Sequence, residues 1–292
     1  MAPALELMIL GDVHVELDAL QHIIASAQAS GTRYDGLLCT GDFGGYAIRP
    51  TRENTDAQTQ LYALGVRAVQ ASLEVLGAPV LFVPGNHDTP EVSGVAGCRS
   101  IDRLGGHPEV QIRGWRFVGV GGSPKTDAQF PYEWDDRGVA GELRSRELTG
   151  GNAVWLLHTP PFGGQCDIGG PHQEHLGSRT LRTLVELRQP PLVVCGHIHE
   201  ATGCEGWGET LILNAGAIKD VRVLETEGQM VSAIVYSYYS VTINRAREMA
   251  VTNHLCVADE PNTVVDAAMW CWRRQRLTRV RPPNRVIRRA RR

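Results

Sequence analysis

The sequence predicts an α/β fold, and three observations carry that prediction. Short apolar runs recur along the chain, each closed by Gly, Asp, Asn or His. Stretches with helical apolar spacing separate the early runs. The carboxylates, amides and imidazoles gather where the runs stop.

In order, the runs are LELMILGD (5–12), YDGLLCTGD (34–42), APVLFVPGN (78–86), WRFVGVGG (115–122), NAVWLLHTPP (152–161), PPLVVCGH (190–197) and ETLILNAG (209–216). Their length, β-branched content and flanking breakers favour buried strands over helices. Residues 16–30 place Leu17, Leu20, Ile23, Ile24 and Ala27 on one helical face. Residues 56–77 do the same with Leu61, Leu64, Val69, Leu73 and Leu76, and residues 178–190 with Leu181, Leu184 and Leu187. Residues 221–244 read as strand without a helix, which predicts a second or extended sheet. The main domain is expected over residues 1–245. A C-terminal extension, 246–292, follows, in which DAAMWCWRRQ (266–275) reads as a short helix ahead of an arginine-rich tail.

Composition narrows the class. The chain has 292 residues, 42% hydrophobic and 21% charged, a globular balance with ample length for a core. No apolar run is long enough for a membrane helix, and the N-terminus lacks the basic start of a signal peptide. Seven cysteines (39, 98, 166, 195, 204, 256 and 271) are odd in number, form no CxxC pair, and in two cases sit inside strand-like runs. Free buried thiols in a cytoplasmic protein are therefore expected. The net charge of −3 hides an asymmetry: Arg273–Arg292 holds ten arginines and no acid. Setting these aside leaves 19 basic residues against 32 acidic ones, about −13 on the rest of the chain. Such a tail would grip nucleic acid through counterion release, or pack on its own acidic body or on another subunit. Both readings stay open.

Five strand ends carry the chemistry. They are Asp12-Val13-His14, Gly41-Asp42, Gly85-Asn86-His87-Asp88, His158 and Gly196-His197-Ile198-His199. In an open α/β sheet ligands bind beyond the carboxyl ends of the strands, so these groups would face a common crevice. Carboxylate, imidazole and amide oxygen without thiolate form a ligand set suited to Mn²⁺, Fe or Zn²⁺. Asp-x-His and His-x-His on extended backbone put both side chains of a pair on one face. The candidates are too many for one ion and fit two, which about 3.5–4 Å apart would share a carboxylate and a hydroxide and clamp an in-line phosphoryl displacement.

The order DxH, GD, GNHD, H, GHxH, intact over residues 12–199, resembles the calcineurin-like metallophosphoesterase superfamily. The resemblance implies a four-layer αββα sandwich of two mixed sheets flanked by helices, and two divalent ions, Mn²⁺ favoured with Fe or Zn²⁺ as alternatives. It implies Asp12, His14 and His199 on one ion, Asn86, His158 and His197 on the other, and Asp42 between them. His87 would act on the leaving oxygen as general acid or electrostatic stabiliser, with Asp88 orienting or tuning it. The segment LLHTPPFG through GHIHEATG is similar to a small bacterial and archaeal subgroup related to cyclic-nucleotide and other phosphodiesterases. After Gly41-Asp42 comes Phe43-Gly44-Gly45-Tyr46, without the Asp-Arg of the Ser/Thr protein phosphatases.

The expected function is thus a dinuclear metal-dependent phosphodiesterase on a small or nucleotide-type ester, using a hydroxide between the metals. The alternatives are a nuclease holding its substrate with the tail, a phosphomonoesterase, or a metal-loaded scaffold without turnover. Three further features carry less. The loop CDIGGPHQEH (166–175), with Cys166, His172 and His175, lacks ligand spacing and reads as a solvated rim before a third metal site. Tyr46, Arg49 and Arg52 in residues 41–54 read as another rim. His22, His107 and His254 have no motif context.

Overall fold

The computed structural model describes residues 4–44, 55–90, 97–145, 148, 151–226, 229–258, 260–280 and 286–288. In chain order its first elements are β1 Leu5–Leu10, α1 Leu17–Ser30, β2 Gly36–Cys39, α2 Thr55–Glu74, β3 Val80–Phe82, β4 Cys98–Ser100, β5 Val110–Ile112 and β6 Trp115–Val120. The short β7 Ser123–Pro124 and β8 Glu133–Trp134 lead to α3 Val139–Ser145 and β9 Ala153–Leu157. A second short pair, β10 Ile168–Gly169 and β11 Glu174–His175, precedes α4 Arg179–Arg188, β12 Leu192–Cys195, β13 Gly203–Trp207 and β14 Thr210–Asn214. The chain ends in β15 Lys219–Thr226, β16 Gln229–Ile243, β17 Met249–Val257, β18 Glu260–Arg273, β19 Arg276–Val280 and β20 Val286–Arg288.

Two mixed sheets result. One runs β19-β18-β17-β16-β1-β2-β3-β4, with β15 beside β16 and β20 beside β18. The other runs β13-β14-β12-β9-β6-β5. Within them β1, β2 and β3 are mutually parallel, as are β6, β9, β12 and β14. Their carboxyl ends therefore emerge in two rows, one per sheet.

The alternation of side chains along each strand builds the layers. Leu5, Leu7 and Ile9 of β1 join Trp115, Phe117, Val154, Leu156, Leu192, Val194, Leu211 and Leu213 in an apolar layer between the sheets. Met8 and Leu10 point the other way, with Leu37, Cys39, Val80 and Phe82, onto Leu20, Ile23, Val69 and Leu73 of α1 and α2. On the second sheet Val118, Trp155, Val193 and Ile212 face Leu143, Leu181, Leu184 and Val185 of α3 and α4. Three apolar layers separate helices, sheet, sheet and helices, which is the αββα sandwich. The all-apolar composition of the central strands follows, since both faces of each are covered.

Some expectations are corrected in detail. Leu64 is 62% and Leu187 65% exposed, so the buried face of α2 is set by Val66, Val69 and Leu73, and that of α4 by Leu181, Leu184 and Val185. The segment DAAMWCWRRQ is not a helix but the end of β18 and the following turn. Its alternation explains this: Ala268 and Trp272 are buried, and Trp270 packs against the layer between the sheets. Trp272 lies so close over β13 that a Cβ on Gly206 would overlap its ring. The boundary placed at 245/246 falls between β16 and β17, where Ile243 pairs with Met249 in one sheet. None of the seven cysteines is in a disulfide; five are buried as expected, while Cys204 and Cys271 are only partly so. Among the described residues no helix is long and apolar enough to cross a membrane.

Candidate metal centre

The seven strand-end residues read as ligands converge where the two rows of carboxyl ends meet. The seam is made by Asp12. Its N–H donates to the Gly216 carbonyl at 2.8 Å, and its own carbonyl accepts from Ile218 N–H at 3.0 Å, so the end of β1 is bonded to the turn after β14. Across this seam the Asp12 carboxylate is fixed on both oxygens. Oδ1 accepts from Thr40 Oγ1 at 2.6 Å, and Oδ2 accepts from His197 N–H at 2.8 Å and lies 3.0 Å from His199 Nε2.

Asp12, Asp42, Asn86 and His158 form a buried floor, while His14, His87, His197 and His199 stand half-buried around it. Two groups have donor atoms close enough for one ion each: Asp12 with His14 and His199, and Asp12 with Asp42 and His158. Asp42 Oδ2 is 3.7 Å from His14 Nε2 and also 3.7 Å from His158 Nε2, placing that carboxylate between the two groups. Asn86 Oδ1 is 2.8 Å from His158 Nε2, and the His197 ring centroid is 4.9 Å from that of His158. Among the described residues these groups, sharing Asp12, are the metal-competent ones.

The donor set fits divalent cations. His158 Nδ1 lies 2.8 Å from the Thr40 carbonyl, which can only accept, so this nitrogen carries the proton. In the neutral ring Nε2 then brings a lone pair toward the oxygens of Asn86 and Asp42. With that ring neutral, acceptors converge there, an arrangement that a proton on Asp42 or a bound cation resolves. The charge balance points the same way. Burial, with the neighbouring Asp12 and Asp88, pushes the Asp42 carboxyl well above its usual range. Burial would also raise Asp12, but the His158, His199 and His14 imidazoles hold it low. Burial lowers His14 to about 4, and burial with the nearby His158 lowers His197 to about 3, leaving both neutral and ready to ligate. For His199 the hydrogen bond and charge of Asp12 outweigh burial and raise it.

The backbone bends to serve these side chains. His14, Asp42 and His197 have φ of 45°, 47° and 66°, left-handed values that cost a side-chain-bearing residue of order 1 kcal/mol or more. The glycines of the motifs are spacing devices: a Cβ on Gly85 would overlap the Asp42 carboxylate, and one on Gly196 would overlap Asp12 and Thr40.

His87 is on the rim. Its N–H donates to Asp42 Oδ1 at 2.9 Å, and its ring meets His14 edge-on at 5.4 Å between centroids. Burial, followed by His158, lowers it to about 4. Asp88 is fully buried and its carboxylate accepts from the N–H groups of Gly85, Phe43 and Gly44 at 2.8, 3.2 and 3.1 Å. These bonds tie the turn after β3 to the turn after β2, a connecting role beside the tuning of His87 read from the sequence.

Sequence reasoning passed over two residues. Thr40 precedes the Gly41-Asp42 pair, and its hydroxyl and carbonyl both orient the floor; its position at a strand end was the available sign. Phe130 lies on the His87 ring, 4.4 Å between centroids, and nothing in its local sequence marks it. In the 166–175 loop Cys166 is turned inward with its thiol toward the Gly203 carbonyl, His172 is exposed, and His175 pairs with Asp167 at 2.8 Å. Tyr46, Arg49 and Arg52 lie outside the described residues.

Comparison with known proteins agrees with this geometry. An uncharacterized protein of Methanocaldococcus jannaschii is 32% identical over 157 residues, 52% of this chain and 70% of its own. A probable cyclic nucleotide phosphodiesterase of Synechococcus sp. is 28% identical over 154 residues, 50% of this chain and 55% of its own length. A solved structure from Thermus thermophilus superposes with a TM-score of 0.52 at 16% identity, covering 78% of this chain and 98% of that one, a likeness of fold. The family pattern described as calcineurin-like phosphoesterase matches residues 5–201, a span that opens with β1 and closes just past His199. Every strand end that carries a candidate ligand lies within it, and the chain belongs to the calcineurin-like phosphoesterase family, a family of phosphoester hydrolases built on a dinuclear divalent metal centre.

Proposed function

We propose that the protein is a dinuclear metal-dependent phosphodiesterase acting on a small or nucleotide-type phosphate ester. The observation that carries the proposal is the pair of ligand groups sharing Asp12, with Asp42 equidistant from His14 and His158 and His87 beside them. Asp12, His14 and His199 would hold one ion, Asn86, His158 and His197 the other, with Asp42 serving both. Mn²⁺ is the favoured ion from the oxygen and imidazole donors and from its supply in cells. When bound, two such ions supply positive charge against phosphoryl oxygens and lower the pKa of water.

The chain's own residues do the rest. Thr40 and the His197 N–H fix the carboxylate of Asp12, so that the floor is set before substrate arrives. His87, neutral in the free protein, presents an N–H to the ester oxygen. An anionic phosphate beside it favours a second proton on the ring, which is then available to the departing alkoxide. The relative named as a probable cyclic nucleotide phosphodiesterase supports a diester over a monoester.

The nuclease alternative leans on the arginine tail. Arg273 and Arg276 are exposed and flank the turn whose Gln275 reaches Glu209 at 3.3 Å, at the amino end of β14. The metal centre is at the carboxyl end of that strand, so this part of the tail faces away from it. The deciding assay compares bis-p-nitrophenyl phosphate with p-nitrophenyl phosphate, using metal-stripped protein reloaded with Mn²⁺. Faster turnover of the diester supports the proposal; faster turnover of the monoester replaces it with a phosphatase.

A further inference from the structure

The segment between β6 and α3 leaves the second sheet at the end where the metal centre lies, and it is held tightly at its stem. Ser123 N–H donates to the Tyr132 carbonyl at 3.1 Å, and Lys125 N–H to the Trp134 carbonyl at 3.0 Å. Trp134 Nε1 donates to the Gly121 carbonyl at 2.9 Å, and Tyr132 Oη donates to the buried Asp102 at 2.6 Å. Both aromatic rings are sunk in the layer under α3 and α4. Tyr132 N–H also donates to the carbonyl of Asn86 at 3.2 Å, so the stem is bonded to the backbone of a candidate ligand.

Two residues before Tyr132 stands Phe130. Phe43, Phe82 and Phe117 are fully buried, but Phe130 is half-buried and belongs to none of the three apolar layers. The residue before it, Gln129, has φ of 57°, a left-handed conformation with a cost for a side-chain-bearing residue. A rigid stem and a strained tip thus hold an aromatic ring where the core does not need it. What it touches is His87, with ring centroids 4.4 Å apart and planes tilted by 51°. His87 in turn meets the ligand His14. A ring on the residue that faces the leaving oxygen, with part of its surface open to solvent, offers a flat apolar wall to whatever that oxygen carries. Planar unsaturated groups stack on such a wall, and saturated polar ones gain little.

We propose that Phe130 is a specificity-determining residue that stacks on a planar, unsaturated leaving moiety, the base of a nucleoside or an aryl group. The inference rests on the phosphodiesterase reading for the identity of the site, and its binding measurement is read without turnover. Calorimetric titration of the Mn²⁺-loaded protein with adenosine 5′-monophosphate and with ribose 5-phosphate compares two ligands that share a phosphate and a sugar and differ by the base. The wild-type protein is expected to bind the nucleotide about ten-fold more tightly, within the range of one stacking contact. Phe130→Leu, which keeps apolar bulk without a ring, is expected to abolish that difference, and Phe130→Tyr to retain it. In hydrolysis of bis-p-nitrophenyl phosphate the loss in Phe130→Leu is expected in KM more than in kcat.

Equal binding of the two ligands by the wild type overturns the proposal, as does a preference for the nucleotide that survives in Phe130→Leu. A loss confined to kcat overturns it too, since Phe130 would then only position His87. A base preference that depends on Phe130 in a protein that hydrolyses no ester leaves the stacking wall standing and removes the phosphodiesterase reading.

Discussion

His158 and Thr40, which are far apart in sequence, meet where His158 Nδ1 donates to the Thr40 carbonyl at 2.8 Å. The bond turns the other ring nitrogen toward Asn86 and Asp42, and the Thr40 hydroxyl at the same time donates to Asp12. One residue that ligates nothing therefore orients both halves of the floor. Thr40→Val keeps the shape and the carbonyl but removes the hydroxyl. Metal affinity is expected to fall about 10–100-fold, the usual effect of losing a partner behind a ligand. Equilibrium dialysis against Mn²⁺ measures it, and unchanged affinity would show that Asp12 needs no support from Thr40.

The two floor carboxylates make different predictions. Asp12 is assigned with His14 and His199 to one ion, so Asp12→Asn is expected to cost that ion first. Asp42→Asn is expected to cost metal occupancy and activity together. Metal content by mass spectrometry checks both, and normal loading of Asp42→Asn would take away its place between the ions.

His87 is separated from the ligands by role. His87→Ala is expected to keep its metal content and lose about 10²–10⁴ in turnover, the range for a positioned proton donor. Loss of metal in that variant would move His87 into the ligand set.

Asp88→Ala strips an acceptor from three backbone N–H groups in a fully buried place. Each amide left without a partner costs about 1–3 kcal/mol. A fall in thermal midpoint in the metal-free protein is expected, before any effect on chemistry. An unshifted midpoint with lost activity would instead place Asp88 with His87 in the reaction.

The metal-free protein should weaken in mild acid. Burial holds His14 and His87 at about 4 and His197 at about 3, against 6.5 for an unperturbed imidazole. Below about pH 6.5 the unfolded chain takes up protons that the folded one refuses, so stability falls as pH drops from 6.5 toward 4. Asp42, raised by burial and by Asp12 and Asp88, and Glu6, raised by burial, work against this with two protons, fewer than the three imidazoles. Urea midpoints of the metal-stripped protein across this range check the sign, and a flat profile would contradict the depressed imidazoles.

The central strands and the polar groups that converge at their ends were legible because each depends on local signals: an apolar run, a breaker, a donor at the strand end. Asp12, Asp42 and His158 were readable in that way, one motif at a time. What joins them was not. Thr40 meets His158, Asp88 meets Phe43, and Phe130 meets His87 only once both sheets are assembled, and pairs of that separation leave no mark on a window of sequence. Residues 266–273 were misread because Ala, Met and Arg favour helix, while the alternation of Ala268, Trp270 and Trp272 told of a strand. Leu64 and Leu187 matched a helical period but fall outside the faces that neighbouring layers cover.

The bond between Asp12 and the turn at Gly216–Ile218 has a consequence for how the protein comes into being. Asp12 leaves the ribosome early, yet its backbone is held by Gly216 and Ile218, made far later and close behind His197 and His199. The N-terminal sheet alone lacks the backbone partners that place Asp12. A truncated chain ending just before β14 would carry all five motifs and still lack the turn that holds the Asp12 backbone.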